Sequence, residues 1–230
     1  MSDVAEDQIR AAEREFIERW TRGPDRQRWE SLPPQVGDRA PDAELADHTG
    51  REVALSSFWR DRPALVLFWR HFGCGCGVER AARLRDEIDD YVAAGANVVI
   101  VGQGEPERAA RYRDEHRLAC PVLCDPDRDL YRAYGLREGH VAHVLFDAPE
   151  EFWTHDRAIG EEFQLQRREG GRPLVDSPWQ LPGEFVVDAS GTVRHEHRYQ
   201  HCEDFPPPLV LIAAIKLAAR LPLADPVGRS

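Results

Sequence analysis

The chain has 230 residues with 41 acidic against 30 basic side chains, a formal net charge of −11, which argues against nucleic acid or an anionic membrane surface as a partner. Its longest apolar patch, Leu209–Ile215, falls well short of the roughly 18 residues a membrane span needs, so no membrane association is expected. The opening residues, Met1-Ser2-Asp3-Val4-Ala5-Glu6-Asp7, lack the basic-then-apolar pattern of a secretory signal, and a cytoplasmic location is expected. There, an odd set of five cysteines (Cys74, Cys76, Cys120, Cys124 and Cys202) points to redox chemistry or metal rather than to a disulfide framework.

Residues 5–20 read as an amphipathic helix, with Ile9, Ala12, Phe16, Ile17 and Trp20 at helical spacing. Gly23-Pro24 ends it. Residues 1–35 thus form a helical extension, packed back on its own domain or against a second copy in a homodimer. The main domain runs over 36–222. Its Thr49-Gly50 turn predicts a hairpin, and Ser56-Ser57-Phe58 a short helical turn. Ala64–Trp69 is a nearly unbroken apolar run, as expected of a strand buried on both faces. A helix over 77–93 is stopped by Gly95, and Asn97–Val101 is a second buried strand. Pro106 opens a helix over 106–116, Cys120–Asp125 is a third strand, and a short helix over 127–134 stops at Gly135. This alternation predicts an α/β sheet with right-handed crossovers. Residues 138–181 show no clear periodicity and carry Phe146, Phe152, Trp153, Phe163 and Trp179. They read as an irregular insertion or lid, with Trp153 and Trp179 as candidates to line it. Glu184–Asp188 and Thr192–His197 form a last hairpin, and Pro206-Pro207-Pro208 launches a helix over about 208–220 that is apolar on most of its surface.

The chemistry is expected at Arg70-His71-Phe72-Gly73-Cys74-Gly75-Cys76-Gly77, where the first long strand gives way to a helix. A helix N-terminus presents free N–H groups and a dipole that favours an anion, which is how a cysteine becomes a nucleophilic thiolate. Arg70, His71 and Arg80 add positive potential. Gly75 keeps the two thiols close, and a Cys-Gly-Cys disulfide closes a small strained ring that is easily reduced. Cys120 and Cys124 face one side of a strand and read as core residues, with a resolving role for one of them still open. A rival site is His195-x-His197-x-x-x-His201-Cys202, which has zinc or copper ligand types in a spacing that matches no standard module. Gly102-Gln103-Gly104 is not continued into a nucleotide fingerprint, and no cofactor is expected.

These features together resemble a known family. The carrying residues are Val36-Gly37-Asp38-Arg39-Ala40-Pro41-Asp42, Leu55-Ser56-Ser57-Phe58, Phe68 to Glu79 with the cysteines, Asp125-Pro126-Asp127 with Tyr131, Tyr134 and Gly135, and Gln180 to Asp188 with Gly191 and Val193. Their order resembles the peroxiredoxin-like (alkyl hydroperoxide reductase/thiol-specific antioxidant) branch of the thioredoxin-like superfamily, over roughly residues 36–220. The resemblance implies a thioredoxin-like fold: a central mixed sheet flanked by helices. It implies a thiol-dependent oxidoreductase that reduces a peroxide or disulfide through Cys74 and Cys76 and is recharged by an external thioredoxin- or glutathione-type thiol. Typical members place Pro-x-x-x-Thr before the attacking cysteine; counted back from Cys76, those positions hold Trp69 and Gly73. Where typical members have an arginine before the last hairpin, this chain has Pro182. In thioredoxin-like proteins a cis-proline faces the cysteines, which makes Pro182 a candidate. The family's acid or amide three residues after the attacking cysteine matches Glu79 and favours Cys76 as the attacking thiol, with Cys74 resolving; the thioredoxin analogy favours attack by Cys74. The alternative is a thioredoxin-fold binding or sensing protein whose cysteines hold metal or do no catalysis.

Overall fold

The structure is a computed structural model that describes residues 3–26, 32–144 and 150–220. Met1-Ser2, the expected Phe146 of the insertion and residues 221–222 lie outside the described residues. The chain opens with helix α1 (Asp3–Arg22), and a hairpin of β1 (Glu44–Ala46) and β2 (Glu52–Ala54) follows. Asp47 closes that hairpin by accepting hydrogen bonds from the Thr49 and Arg51 amides, and Gly50 takes φ +82°. Then come β3 (Ala64–Phe68), α2 (Gly75–Ala93), β4 (Asn97–Gly102), α3 (Pro106–Glu115), β5 (Val122–Cys124) and α4 (Asp129–Ala133). The segment after α4 holds α5 (Val141–Val144) and α6 (Arg157–Glu169); β6 (Gly183–Val187), β7 (Val193–Arg198) and α7 (Pro208–Arg220) complete the chain.

The main sheet has the order β5-β4-β3-β6-β7, with β3, β4 and β5 parallel and β6 and β7 antiparallel additions. It is the expected mixed α/β sheet. Side chains alternate along a strand, and here both faces are apolar. Leu65, Leu67, Val98 and Ile100 point to the side covered by α2, α3 and α7, whereas Val66, Phe68, Val99 and Val101 point to the side holding Tyr131, Tyr134 and Phe185. Cys120 and Cys124 belong to the first of these cores, where burial pushes both thiols up to about 12. Only one face of α7 is buried, through Leu211, Ile215 and Ala218, while Leu209, Val210 and Leu217 stay exposed.

The expectation of an irregular 138–181 is corrected: its described residues hold two α-helices, α5 and the longer α6. In α6 the charged residues outnumber the apolar ones, so its period is faint in sequence. Asp156 caps it by accepting from the amides of Ala158 and Ile159. Its neighbour in space is α1, folded back on the same chain. Trp20 stacks on Trp179 at 5.3 Å, and its indole N–H donates to the Asp156 carbonyl. Arg168 pairs with Glu6 and Glu13. Trp179 is thus a buried member of this aromatic cluster, whereas Trp153 is half-exposed and carries none of its packing.

Gly160 of α6 packs directly against the Trp20 ring of α1. A Cβ there would lie 2.6 Å from Trp20 Cδ1. Gly160→Ala is expected to cost about 1–3 kcal/mol in urea unfolding and to speed proteolytic release of α1, although alanine favours the helix itself. An unchanged midpoint would mean that the Trp20 ring moves aside without loss of packing.

Candidate active site

Strand β3 ends at Phe68, and the chain between it and α2 is held from below. The Tyr131 hydroxyl donates to the Trp69 carbonyl at 2.5 Å and to the Val101 carbonyl at 3.0 Å. The Trp69 indole donates to the Tyr112 hydroxyl at 2.8 Å, and the Gln103 side-chain amide donates to the Arg70 carbonyl. With the turn so fixed, Cys74 becomes the N-cap residue of α2, in extended conformation at ψ 134°, and Gly75 and Cys76 are its first two helical residues. The helix therefore starts two residues earlier than expected and includes the second cysteine. Gly75 is helical with no positive φ, and an added Cβ would meet only Arg167 and Arg172 at ordinary distances. Its glycine freedom is not what holds the thiols.

Gly73 is the position that the resemblance, counted back from Cys76, gives to threonine, and here it has no room for a side chain. A Cβ there would run into the Pro173 carbonyl, which belongs to the strap of residues 171–181 crossing over the turn. Asp176 pins this strap: it takes a positive φ of 64° and accepts two hydrogen bonds from Arg108 on α3, at 3.0 and 2.7 Å. The strap delivers the Pro178 carbonyl to the Arg70 guanidinium. Arg70 is 6% exposed, and its Nη1 donates to Cys74 Sγ at 2.8 Å. A guanidinium thus reaches the thiols from the turn itself rather than from the position of Pro182. Burial works against the Arg70 charge, but Cys74, Cys76 and Cys202 around it raise its affinity for its proton.

Cys202, which the sequence offered only as a metal ligand beside the histidines, joins the other two thiols instead. It follows β7 and lies against Cys74 and Cys76, with Phe205 beside them. All three are free thiols, 4–6% exposed. Its amide donates to the His143 carbonyl at 2.9 Å, and its thiol is 3.6 Å from the Val144 carbonyl. The placement at the end of β7 is further fixed by the Tyr199 hydroxyl, which donates to Glu184 at 2.6 Å. Glu184 in turn binds Arg80 at 2.7 and 3.2 Å. No sequence motif marks Cys202, because its pairing depends on the sheet order.

The electrostatics correct two expectations. Burial, together with the adjacent Cys76, pushes the Cys74 thiol well above its ordinary value, against the pull of Arg70. Cys76 is pushed up to about 11, chiefly by its hydrogen bond to Cys202. That same hydrogen bond lowers Cys202, outweighing burial there. Within this cluster the proton is therefore held less tightly by Cys202 than by either cysteine of the Cys-Gly-Cys turn. The supporting charges also differ from expectation. His71 is fully buried near Arg70, Arg167 and Arg108, and burial followed by these charges keeps it neutral. Arg80 spends its charge on Glu184 and Glu87. Glu79 is half-exposed and pairs with Arg83 at 2.7 Å, away from the thiols. Pro182 borders a small void beneath Cys76 and Cys202, and its peptide bond is trans, as are all peptide bonds among the described residues, so the cis expectation is corrected. The histidine cluster does not assemble either. The His197 ring sits 2.7 Å from the Asp204 carbonyl, and among the described residues no group of three or more His, Cys, Asp or Glu side chains is arranged to hold a metal.

Above the thiols lies a cavity of about 190 Å³. Its floor is Arg70, Cys74, Cys76 and Cys202, and its walls include Trp20 of α1 and Phe163 of α6. Two buried atoms of residues that line this cavity, Arg70 Nε and His71 Nδ1, have no hydrogen-bond partner among the described residues. Such atoms are costly when buried unless a ligand or water meets them. The site can therefore hold a small molecule with an acceptor near the thiols and an apolar remainder against the aromatics.

Comparisons with known proteins bear on the family and the fold. The chain is similar to a Mycobacterium tuberculosis protein whose name assigns it provisionally to the peroxiredoxins, with 36% identity over 99 residues, 43% of this chain and 62% of that protein. It is similar to peroxiredoxin Bcp of Escherichia coli K12, with 30% identity over 104 residues, 45% of this chain and 66% of that one. The chain thus spans somewhat under two thirds of the length of these curated relatives. Among solved structures, peroxidoxin BcpB of Mycobacterium tuberculosis shares the fold at TM-score 0.57 and 17% identity, covering 80% of this chain and 97% of that one. A thiol peroxidase from Chromobacterium violaceum shares it at TM-score 0.56 and 18% identity, covering 81% and 89%. No helix among the described residues is long and apolar enough to cross a membrane. The family model that describes the AhpC/TSA family matches residues 36–196, and with more than half of its length matched the chain belongs to that family.

Proposed function

We propose that the protein is a thiol-dependent peroxidase working in the cytoplasm, with Cys76 as the attacking thiol and Cys74 as its first resolving partner. The observation that carries this reading is the set of buried free thiols gathered around the Arg70 guanidinium at the floor of a ligand-sized cavity. Cys202, whose thiol gives up its proton more readily, acts as the base: as a thiolate it takes the Cys76 proton along their hydrogen bond and leaves Cys76 as the attacking thiolate. That thiolate attacks one oxygen of a hydroperoxide, the O–O bond breaks, and the other oxygen leaves as an alkoxide that takes up a proton. Arg70, with its unpartnered Nε, is placed to hold the oxygens while charge develops. Cys76 is then a sulfenic acid; Cys74 condenses with it to a disulfide and releases water. An external thioredoxin- or glutathione-type thiol restores both.

The lining favours a hydroperoxide with an apolar body as substrate, since Trp20 of α1 and Phe163 of α6 border the cavity that the thiols line. The test is hydroperoxide consumption by the full chain with an excess of dithiol reductant. Saturable consumption, with bulky organic hydroperoxides preferred to hydrogen peroxide, is expected. Consumption no faster than with the reductant alone would overturn the reading.

A further inference from the structure

A two-cysteine cycle uses Cys202 only as a proton partner and forms no bond to its sulfur, yet it is built into the same site. It is 6% exposed, lies against both other thiols, borders the cavity, and is anchored through Tyr199, Glu184 and Arg80 to the start of α2. We propose that Cys202 is a third redox-active thiol, which takes over the disulfide from the Cys-Gly-Cys pair by attacking Cys76 Sγ. This step rests on the peroxidase reading above for the origin of the first disulfide.

The exchange balances without any further oxidant. The Cys202 thiolate forms a bond to Cys76 Sγ, the Cys74–Cys76 bond breaks, and Cys74 departs as a thiolate carrying the electron pair. Three features favour that direction. Once Cys74 and Cys76 are joined, Cys202 is the thiol of the cluster left free to attack; it lies against both sulfurs, and the Arg70 charge favours its thiolate. The departing Cys74 sulfur sits 2.8 Å from the Arg70 guanidinium, which stabilises it as an anion. The bond given up closes a ring of only three residues, with one cysteine extended at the N-cap and the other inside the helix, whereas a Cys76–Cys202 bond joins two distant segments that already touch and carries no such ring strain. A void of about 20 Å³ under Cys76 and Cys202 leaves room for the small shift of sulfur atoms that the exchange requires.

The consequence is a division of labour. The Cys-Gly-Cys pair captures the oxidising equivalent, and the segment after β7 stores it. Cys74 is returned to the thiol state beside Arg70 before any external reductant arrives.

A time course on the full chain tests this. The protein receives one equivalent of hydrogen peroxide, is quenched with an alkylating agent, digested with trypsin and mapped by mass spectrometry. Cleavage after Arg70 and Arg80 puts Cys74 and Cys76 in one peptide, and cleavage after Arg198 and Lys216 puts Cys202 in another. An internal disulfide in the first peptide is expected early, converting to a cross-link between the two peptides. In Cys202→Ser the cross-link is lost and the internal disulfide persists. An internal disulfide that persists in the wild type, with Cys202 alkylated at every time point, overturns the relay and leaves the peroxidase reading standing. A first peptide that never loses its two free thiols overturns both. Alkylation of the reduced protein across pH adds an independent readout: Cys202 is expected to label at the lowest pH of the three and Cys74 at the highest, and labelling in the reverse order would remove the nucleophile from the scheme.

Discussion

Cys76→Ser is expected to lower hydroperoxide turnover by a factor on the order of 10³ or more, to the background of the reductant alone, because the hydroxyl is a far weaker nucleophile at neutral pH. The isosteric change removes the reacting sulfur and leaves the α2 start intact, so unfolding should shift little. Cys120→Ala and Cys124→Ala serve as controls. Both cysteines lie in the core between the sheet and its helices, with thiols pushed up to about 12, and neither belongs to the thiol cluster at the cavity. Their turnover is expected to stay within about twofold of the parent at temperatures where the variants remain folded. Turnover that survives Cys76→Ser and vanishes in Cys202→Ser would move the attack onto Cys202. Full turnover in both would remove the cysteine cluster from the chemistry.

Arg80→Ala is expected to be the most damaging single change outside the thiols. Arg80 is 6% exposed and is the shared partner of Glu184 and Glu87. Removing it leaves the Glu184 carboxylate buried with, among the described residues, the Tyr199 hydroxyl as its remaining side-chain partner. Breaking a buried pair in this way costs about 3–5 kcal/mol. For a chain of this size that corresponds to a fall in Tm on the order of 10 °C by calorimetry. Arg80→Met combined with Glu184→Leu should recover much of the loss, because neither member of that pair is then buried alone. A loss below about 1 kcal/mol in Arg80→Ala would mean that water reaches Glu184 in the folded state. The same variant should slow cross-linking of Cys202 to Cys76, since Glu184 also holds Tyr199 at the base of the Cys202 segment.

Much of the scaffold is legible in the sequence. The apolar run at Ala64–Trp69 becomes β3, with alternate residues feeding two cores, because a central strand must bury both faces. Pro106, Gly95 and Gly135 stand where helices begin and end, since proline lacks the N–H that a first turn leaves unused and glycine accepts the left-handed turn, at φ 109° and 73° here. The Cys-Gly-Cys turn at the strand-to-helix junction is equally local, and so is its position at the N-terminus of α2. The insertion was less readable: α6 displays few apolar residues, and only its packing against α1 gives it a buried side.

The sequence by itself therefore determined the order of elements, the mixed α/β sheet and the turn that carries Cys74 and Cys76, all of which depend on periodicity and on residues near one another in the chain. Only the tertiary structure decided which charges and thiols share the site. Cys202 reaches Cys76 because β6 and β7 are added antiparallel beside β3. Arg70 rather than His71 supplies the positive charge, because both are buried together and a guanidinium keeps its proton where an imidazole gives its own up. The strap over Gly73 leaves no room for a side chain there, through a backbone contact made from far along the chain. Proton affinities and close contacts of this kind depend on distance in space and on exclusion of water, and neither quantity exists until the chain has folded.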